Sequence, residues 1–180
     1  YEIADRDWSS DVCSSDLAIV VVDENWGIGK QGGLLTHLSG DLKYYKEKTV
    51  GHHIVLGRKT LESFPGGKPL PDRENIVLTG NRDFRASHCT ICYSMAQLVL
   101  YLTRLPQDEI FVSGGESLYR QLMPLTDTFF VTHLQTTFPE ADKFFPDLTK
   151  QADIRLVWQS KQQEEDGLEY YFARYERQTK

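Results

Sequence analysis

The chain has 180 residues, of which 40% are hydrophobic and 26% are charged, and its formal net charge is -6 at pH 7. This length suits one packed domain and is short for two, and no apolar run approaches the roughly 18 residues that span a bilayer. Phosphate backbones attract basic surfaces, so these totals exclude a membrane protein, argue against nucleic acid as a partner and favour a small molecule.

The first segment, YEIADRDWSSDVCSSDL, differs from the rest of the chain. It contains five acidic residues and one basic residue, and so carries -4 of the net charge of -6. It lacks the basic start and apolar stretch of a signal peptide, and it has neither helical nor strand periodicity. We therefore predict that residues 1–17 are a non-native or disordered extension and that residues 18–180 form the domain.

Two of the three cysteines, Cys89 and Cys92, have the C-x-x-C spacing. They lie in HCTICYS, which is typical of a strand, and residues three apart in a strand face opposite sides. Neither a zinc site nor a redox pair is predicted, since no second ligand pair exists to complete a four-coordinate site. Free thiols indicate a reducing compartment, so we expect a cytoplasmic protein without a metal.

In chain order, apolar strands alternate with helices. Continuous β-branched runs predict buried strands at AIVVVD, HHIVLG, NIVLTG and EIFVSGG. Helices are predicted between them at 38–49, shortly after Lys59, at SMAQLVLYLTRL and at ESLYRQLMPL. The last strands are DTFFVTHLQT, IRLVWQS and LEYYFARYE, and Asp166-Gly167 indicates a hairpin turn between the last two. This order predicts a single-domain α/β fold whose mostly parallel mixed central sheet has about eight strands, ends in a C-terminal antiparallel hairpin and is flanked by about four helices.

The segment LLTHLSGDLKYYKEKT places a carboxylate among apolar residues. Helical spacing puts Asp41 on one face with Leu38, Leu42 and Tyr45, which predicts a buried stripe. Ser39 is a candidate N-cap, and an acid in the first turn interacts with the helix dipole by roughly 0.3–1 kcal/mol. The alternative is functional, because an acid in an apolar pocket has a raised pKa and can bind or protonate a ligand. The segment alone favours the dipole interpretation.

Glycine-bearing turns follow three predicted strands, at VLGRKT, VLTGNR and VSGGES. In an open α/β sheet, ligands bind beyond the carboxyl ends of the strands, where helix N-termini present free N–H groups to phosphates. Arg58, Lys59 and Arg82 add positive charge in these turns, and ordinary surface charge is the alternative for them. Together the three turns predict a nucleotide site.

The sequence GIGKQG matches the G-x-G-x-x-G pattern of dinucleotide-binding proteins. That fingerprint requires the glycines to open a helix directly, whereas five further residues, 33–37, precede the predicted helix here. The next strand runs into Arg58 and does not end in an acidic residue. We therefore predict that residues 27–37 form a flexible loop over a site, with a plain connecting loop as the alternative.

Five motifs, GIGKQGGLL, DLKYYKEKT, HHIVLGRKTLESFP, KPLPDRENIVLT and IFVSGGESLY, occur in an order similar to bacterial dihydrofolate reductase. The similarity runs from Ala18 to the C-terminus. The resemblance implies NADPH-dependent reduction of 7,8-dihydrofolate to 5,6,7,8-tetrahydrofolate, with hydride transfer to pterin C6 and protonation of N5. It also implies that Asp41 is the acid of the pteridine pocket and that Thr132 is the strand threonine that hydrogen-bonds this carboxylate, which makes these two the catalytic residues.

For the substrate, the resemblance implies that Arg73 binds the α-carboxylate of the glutamate tail, which suits the planar fork of a guanidinium. Without the resemblance, Arg73 would be interpreted as a solvated turn residue and the apolar positions as core. Antifolate inhibitors are expected in the same pocket. The other substrate-binding positions that the resemblance implies are Val20, Val21, Leu42, Tyr45, Phe64, Leu70, Ser113 and Tyr119.

For the cofactor, the resemblance implies NADPH, with the adenosine 2′-phosphate near Arg58 and Thr79. A guanidinium at that place favours NADPH over NADH. Gly114-Gly115 corresponds to a glycine pair that is joined by a cis peptide and lets the backbone approach the cofactor. The cofactor-binding positions that the resemblance implies are Val21, Ile28, Gly57, Arg58, Lys59, Thr60, Thr79, Gly80, Ser113, Gly114, Gly115, Glu116, Ser117 and Leu118.

Several positions depart from the family pattern. Leu35-Thr36 stands where Pro-Trp is usual, Ser39 where Pro is usual, and Ser113 where a branched apolar residue is usual. We expect these changes to alter contacts near the acid and between substrate and nicotinamide. Two alternatives remain: a same-fold NADPH-dependent pyrimidinone reductase, which would not need the acid and arginine together, and a nucleotide-binding module without catalysis. We expect a monomer, because no surface is patterned for self-association.

Overall fold

The computed structural model describes residues 16–105 and 110–178, which fold around a twisted sheet. In these ranges the strands are β1 (Asp16–Val22), β2 (Gly27–Lys30), β3 (Gly33–Leu34), β4 (His53–Gly57), β5 (Glu74–Leu78), β6 (Cys89–Cys92), β7 (Ile110–Val112), β8 (Thr126–Leu134), β9 (Lys143–Phe144), β10 (Ile154–Gln159), β11 (Gln163–Glu165) and β12 (Leu168–Arg177). The α-helices of these ranges are α1 (Ser39–Thr49), α2 (Arg58–Ser63), α3 (Met95–Leu102) and α4 (Glu116–Leu122), and short 3-10 helices lie at Pro65–Gly67, Met123–Leu125 and Leu148–Lys150.

The main sheet has nine strands within the described ranges. Eight of them follow the order β10-β12-β8-β1-β7-β4-β5-β6, and β11 pairs with β12. All pairs from β8 to β6 are parallel, whereas β12 runs antiparallel to β8, β10 and β11. The predicted α/β fold with an antiparallel C-terminal pair is therefore confirmed.

Strand β1 shows how the sheet is covered on both faces. Ala18, Val20 and Val22 pack into one apolar cluster, and Leu17 and Ile19 pack into another. Side chains alternate across a strand, so a continuous apolar run supplies both clusters. This burial on both faces is the reason that β1 and its parallel neighbours lack an alternating polar pattern.

The first strand begins earlier than the sequence boundary at residue 17 suggests. Asp16 and Leu17 both belong to β1 and are only 3% and 6% exposed. Asp16 pairs with Ile110 of β7 and Thr126 of β8, so these two residues of the predicted extension are part of the sheet. The rest of the predicted extension, residues 1–15, lies outside the described residues.

The segment predicted as a loop over the site, 27–37, is a hairpin. Strands β2 and β3 pair with each other, and β2 also pairs with β9, which forms a second, three-stranded sheet. The buried Asp23 carboxylate orients this hairpin by accepting hydrogen bonds from the N–H of Gly27 at 2.8 Å and of Phe138 at 2.9 Å. The loop prediction failed because β9 lies far along the chain and glycine-rich strands carry little strand propensity.

Helix α1 differs from its prediction at its start. Leu38, not Ser39, occupies the N-cap position, and it provides no side-chain hydrogen bond. Ser39 is the first helical residue, so its prediction as N-cap was wrong. The predicted buried stripe is also incomplete, because Leu38 is 5% exposed but Leu42 is 39% exposed.

The cysteine and hairpin predictions agree with the structure. Cys89 and Cys92 are free thiols whose side chains join different apolar clusters, as expected for opposite faces of β6. Asp166 and Gly167 both have positive φ and connect β11 to β12, which adds a short strand to the predicted hairpin. None of the helices in the described ranges has the length and apolar character needed to cross a membrane.

Candidate active site

Asp41 lies in the first turn of α1 and faces β8. Its Oδ1 accepts a hydrogen bond of 2.6 Å from the Oγ1 of Thr132, a buried residue of that strand. Burial raises the pKa of Asp41 from 3.8 to about 6, and the hydrogen bond from Thr132 opposes part of this rise. The acid is therefore half-ionised near pH 6 and mostly ionised at pH 7, so its carboxylate can accept hydrogen bonds from a ligand and still exchange a proton.

Aromatic and apolar side chains surround this carboxylate. Tyr44 stacks on Phe172 of β12 with ring centroids 4.1 Å apart. Val21 packs against the buried cluster that contains Leu38 and Tyr170. Together with the exposed Leu42, these residues make an apolar border that is open on one side, so the helix stripe lines a binding surface and is not wholly core.

Val20 differs from its neighbour Val21. Its side chain belongs to the apolar cluster on the other face of the sheet and is only 6% exposed. Leu118 of α4 lies in the same cluster and is 3% exposed. The side chain of Val20 therefore faces the core, and a ligand at the Asp41 face would meet the backbone of this residue, so its role in substrate binding stays a prediction.

A polar pair crosses from α1 to the end of β7. The Tyr45 hydroxyl donates a hydrogen bond of 3.0 Å to the Ser113 Oγ. Burial raises the pKa of Tyr45, so the phenol stays protonated and keeps donating. The sequence comparison identified Ser113 as unusual but gave no sign of this contact, since the two residues are 68 positions apart.

Arg73 is held in a fixed orientation at the other end of α1. Its Nε donates to the Pro71 carbonyl at 2.9 Å, and one Nη donates to the Thr49 Oγ1 at 3.1 Å. Thr49 is itself fixed by donating to the Tyr45 carbonyl at 2.8 Å. Partial burial lowers the pKa of Arg73, but a guanidinium stays charged in proteins. Sequence reasoning missed Thr49 as the residue that orients this arginine.

Phe64 and Leu70 belong to one apolar cluster, and Leu70 borders the same cavity as Arg73. Both are partly buried and pack against the apolar cluster that contains Leu61 and Phe111. The Leu70 backbone is fixed by the buried Asn75, whose side chain bonds both its N–H and its carbonyl. These contacts make a firm apolar wall beside the arginine.

The cofactor positions gather where three neighbouring strands end. The Gly57 N–H after β4 donates to the Gly114 carbonyl after β7 at 2.8 Å, so the two turns touch. The Gly114–Gly115 peptide is cis, as the resemblance implied, and Gly114 has φ +114°, which favours glycine. A Cβ at Gly114 would lie in ordinary contact, 3.6 Å from the Thr60 Oγ1 and from Tyr119, so the positive φ and not lack of space is what favours glycine here.

The charged residues of these turns lie nearby. Arg58 begins α2 and forms an ion pair of 2.8 Å with Glu62, one turn further on, while Lys59 is exposed. At the end of β5 the Thr79 Oγ1 accepts from the Asn81 N–H at 3.1 Å, and a side chain at Gly80 would meet open space. These donors and the open turns fit an anionic dinucleotide.

The remaining cofactor positions lie on the hairpin and on α4. The Glu116 carboxylate accepts a hydrogen bond of 2.6 Å from the Phe144 N–H in β9, which ties α4 to the small sheet. Ser117 is exposed, and Ile28 of β2 is partly buried against the core. Tyr119 is buried and donates to the Ile19 carbonyl at 2.7 Å, and both its ring edge and its hydroxyl lie beside Gly114.

A separate cavity of about 750 Å³ lies between residues 67–73 and 84–88. It shares only Leu70 and Arg73 with the predicted substrate positions. Its lining mixes basic and acidic side chains and contains no acid in an apolar setting. Asp41 and the three glycine turns lie outside this cavity.

A sequence model described as dihydrofolate reductase matches residues 17–177. The chain belongs to the dihydrofolate reductase family. It is 39% identical over 163 residues to the dihydrofolate reductase of Bacillus subtilis (strain 168), covering 89% of this chain and 94% of that protein. The enzyme of Staphylococcus haemolyticus is 36% identical over 161 residues, covering 88% and 93%.

A solved structure of the family supports the same conclusion. Dihydrofolate reductase from Enterococcus faecalis, complexed with NADP(H) and RAB-propyl, superimposes with a TM-score of 0.82 and 32% identity, covering 92% of this chain and 98% of that chain. Membership of the dihydrofolate reductase family makes the chain an oxidoreductase that uses NADPH to reduce 7,8-dihydrofolate. The matches support this function and not the pyrimidinone reductase or the non-catalytic module.

Proposed function

We propose that 7,8-dihydrofolate and NADPH bind side by side between α1 and the carboxyl ends of β1, β7 and β8, with Asp41 as the acid that holds the pterin. The observation that best supports this proposal is the environment of the Asp41 carboxylate. It is surrounded by apolar side chains and accepts a hydrogen bond from Thr132, and its burial raises the pKa to about 6. A buried acid with one hydrogen-bond partner has acceptor capacity left for a ligand. The 2-amino group and N3 of a pterin are donors that match it.

In this proposal the protein positions the reactants and controls protons. When bound, NADPH supplies the hydride that reaches pterin C6. Asp41 orients the ring, and its raised pKa keeps a proton available close to neutral pH. Because the carboxylate is placed at the 2-amino and N3 edge, N5 receives its proton through a water that the β2–β3 hairpin admits or excludes.

The other proposed contacts follow the order of the substrate. Tyr45, Leu42, Phe64 and Leu70 would pack against the middle of dihydrofolate, and antifolates would use the same walls. Arg73 would bind the α-carboxylate of the glutamate tail through its free guanidinium donors. Ser113 and Tyr119 would lie where the pterin meets the nicotinamide.

The fit of the dinucleotide rests on the three turns. The bare backbone at Gly114 and Gly115 would lie against the nicotinamide half, and the N-termini of α2 and α4 would face the phosphates. Arg58 would exchange its ion pair with Glu62 for the 2′-phosphate. Lys59, Thr60, Thr79 and Gly80 would complete that end of the site.

The reaction is tested by following NADPH oxidation with and without 7,8-dihydrofolate. We expect oxidation that depends on dihydrofolate and isothermal titration that shows both molecules binding. A protein that binds NADPH but not dihydrofolate would be a nucleotide-binding module, and oxidation with a pyrimidinone alone would indicate the rival reductase. Either result would overturn the proposal.

Cofactor choice is tested by Arg58→Gln. Loss of one charge-assisted contact to a phosphate is expected to raise the KM for NADPH by about tenfold, because such a contact contributes about 1.5–3 kcal/mol. The KM for NADH, which has no 2′-phosphate, should stay unchanged. Arg155→Gln, an exposed arginine on the edge strand β10, serves as the control. Equal weakening of both nucleotides would show that Arg58 does not contact the 2′-phosphate.

We further propose that the protein acts as a monomer in the cytoplasm. The free thiols of Cys89 and Cys92 and the use of NADPH both suit a reducing compartment.

A further inference from the structure

The N-terminus of α1 is closed by a side chain from far along the sequence. Glu165, the last residue of β11, accepts hydrogen bonds from the backbone N–H of Ser39 at 2.8 Å and of Gly40 at 3.0 Å, one through each oxygen. These are N–H groups that a helix leaves without an internal acceptor, and a carboxylate there also complements the helix dipole. Since Leu38 provides no side-chain cap, the cap of α1 comes from the β11–β12 hairpin.

Packing brings the same hairpin against the helix backbone. A Cβ at Gly40 would collide with the Tyr170 hydroxyl of β12, so only glycine lets the helix approach this closely. Leu38 and Tyr170 are buried in one cluster with Leu134 of β8. The first turn of α1 is therefore held between β8 and the hairpin.

Asp41 is the third residue of α1 and lies in this turn. Its contact with Thr132 joins the helix to β8, so the position of the carboxylate depends on how the turn is seated. We propose that Glu165 is a positioning residue, which caps Ser39 and Gly40 and thereby keeps Asp41 in place to bind the pterin. The inference rests on the proposed role of Asp41.

Ser39 makes this arrangement possible in the present chain. A proline at this position would have no N–H to donate, whereas serine supplies one of the two donors that Glu165 accepts. This hydrogen bond therefore requires both a residue with a backbone N–H at position 39 and the carboxylate of Glu165.

The test compares substrate and cofactor binding in three variants. Glu165→Ala removes both acceptors, Glu165→Gln keeps one carbonyl oxygen, and Glu169→Ala removes an exposed carboxylate from the neighbouring strand as a control. We expect Glu165→Ala to raise the dissociation constant for dihydrofolate by about fivefold, as expected for loss of a helix cap, with a smaller rise in Glu165→Gln. The dissociation constant for NADPH and both constants of the control should stay unchanged.

Amide hydrogen exchange supplies a readout that needs no substrate. The Leu42 N–H bonds to the Leu38 carbonyl at 3.0 Å, so it reports whether the first turn of α1 is closed. We expect this amide to exchange about fivefold faster in Glu165→Ala. If exchange is faster in Glu165→Ala but the wild type itself fails to bind dihydrofolate, Glu165 is still the helix cap and the proposed role of Asp41 is what fails.

A double-mutant cycle tests the pair directly. Ser39→Pro removes one donor at a position where proline suits the start of a helix, so Glu165→Ala should weaken dihydrofolate binding less in that background. Equal effects in both backgrounds, unchanged dihydrofolate binding in Glu165→Ala, or equal weakening of both ligands would each overturn the inference.

Discussion

Asp41→Asn is expected to lower kcat/KM for 7,8-dihydrofolate at pH 7 by about 100-fold or more, which corresponds to a loss of at least about 2.7 kcal/mol of transition-state stabilisation. The substitution keeps the oxygen that accepts from Thr132, so the helix stays seated, but it removes the negative charge and the exchangeable proton. Steady-state assays over pH 5–9 check this. The inflection near pH 6 that follows titration of Asp41 should vanish in the variant.

The matched control is Asp127→Asn. Asp127 is exposed and lies on β8, the strand that carries Thr132, where it faces Arg177 at 3.8 Å. Exposed ion pairs contribute little, so this variant should keep both kcat and KM. If Asp41→Asn turned over at the wild-type rate, the carboxylate would have no part in the chemistry.

The same substitution is expected to stabilise the fold at neutral pH. The pKa of Asp41 rises from 3.8 to about 6 on folding, so the folded state binds more protons between these values and stability falls as pH rises through them. Two pKa units correspond to at most about 3 kcal/mol, which Asp41→Asn should regain above pH 6 and not below pH 4. Urea denaturation at pH 4 and pH 8 measures the difference. If Asp41→Asn were less stable than the wild type at pH 8, the predicted stabilisation would be wrong.

Arg73→Gln is expected to raise the KM for 7,8-dihydrofolate by about 30- to 100-fold and to change kcat much less. A bidentate guanidinium–carboxylate contact contributes about 2–3 kcal/mol to binding. Because it is remote from C6, it stabilises the bound substrate and the transition state equally, and its loss changes KM more than kcat. Steady-state kinetics measures the two constants separately. Thr49→Val, which removes the acceptor that orients Arg73, should show a smaller rise in KM of the same kind.

A shortened substrate provides the control for Arg73. A dihydropterin without the glutamate tail has no carboxylate to bind, so Arg73→Gln and the wild type should reduce it equally well. A lower rate in the variant with this substrate would mean that Arg73 acts on the pterin end or on the fold.

The parallel strands were predictable because their signals are local. β1, β4 and β5 are continuous β-branched runs, and both faces of β1 are buried, so its pattern contains no polar interruption. The hairpin at 27–37 was not predictable, because β2 is completed by β9 and oriented by Asp23. The cap of α1 by Glu165 was not predictable either, because nothing in the sequence of the helix indicates a capping residue from a distant strand.

In the candidate site, too, features encoded locally could be predicted, and contacts between distant residues could not. Asp41 could be placed on an inward helix face from spacing, but only the resemblance distinguished a ligand-binding acid from a cap. Spacing placed Leu42 in a buried stripe, but this side chain is 39% exposed, because the face of a helix alone does not say how far neighbouring elements cover it. The Tyr45–Ser113 and Thr49–Arg73 contacts join residues 68 and 24 positions apart, and no periodicity predicts such pairs.

The place of β12 in the sheet has a consequence for how the protein forms during translation. β12 lies between β8 and β10, yet it leaves the ribosome after every other strand described here. Until it emerges, β8 has an open edge that can pair with other chains. Asp41 and Thr132 are therefore synthesised well before β12 covers the edge of β8. In this interval, folding factors that bind exposed strands can protect the chain from aggregation.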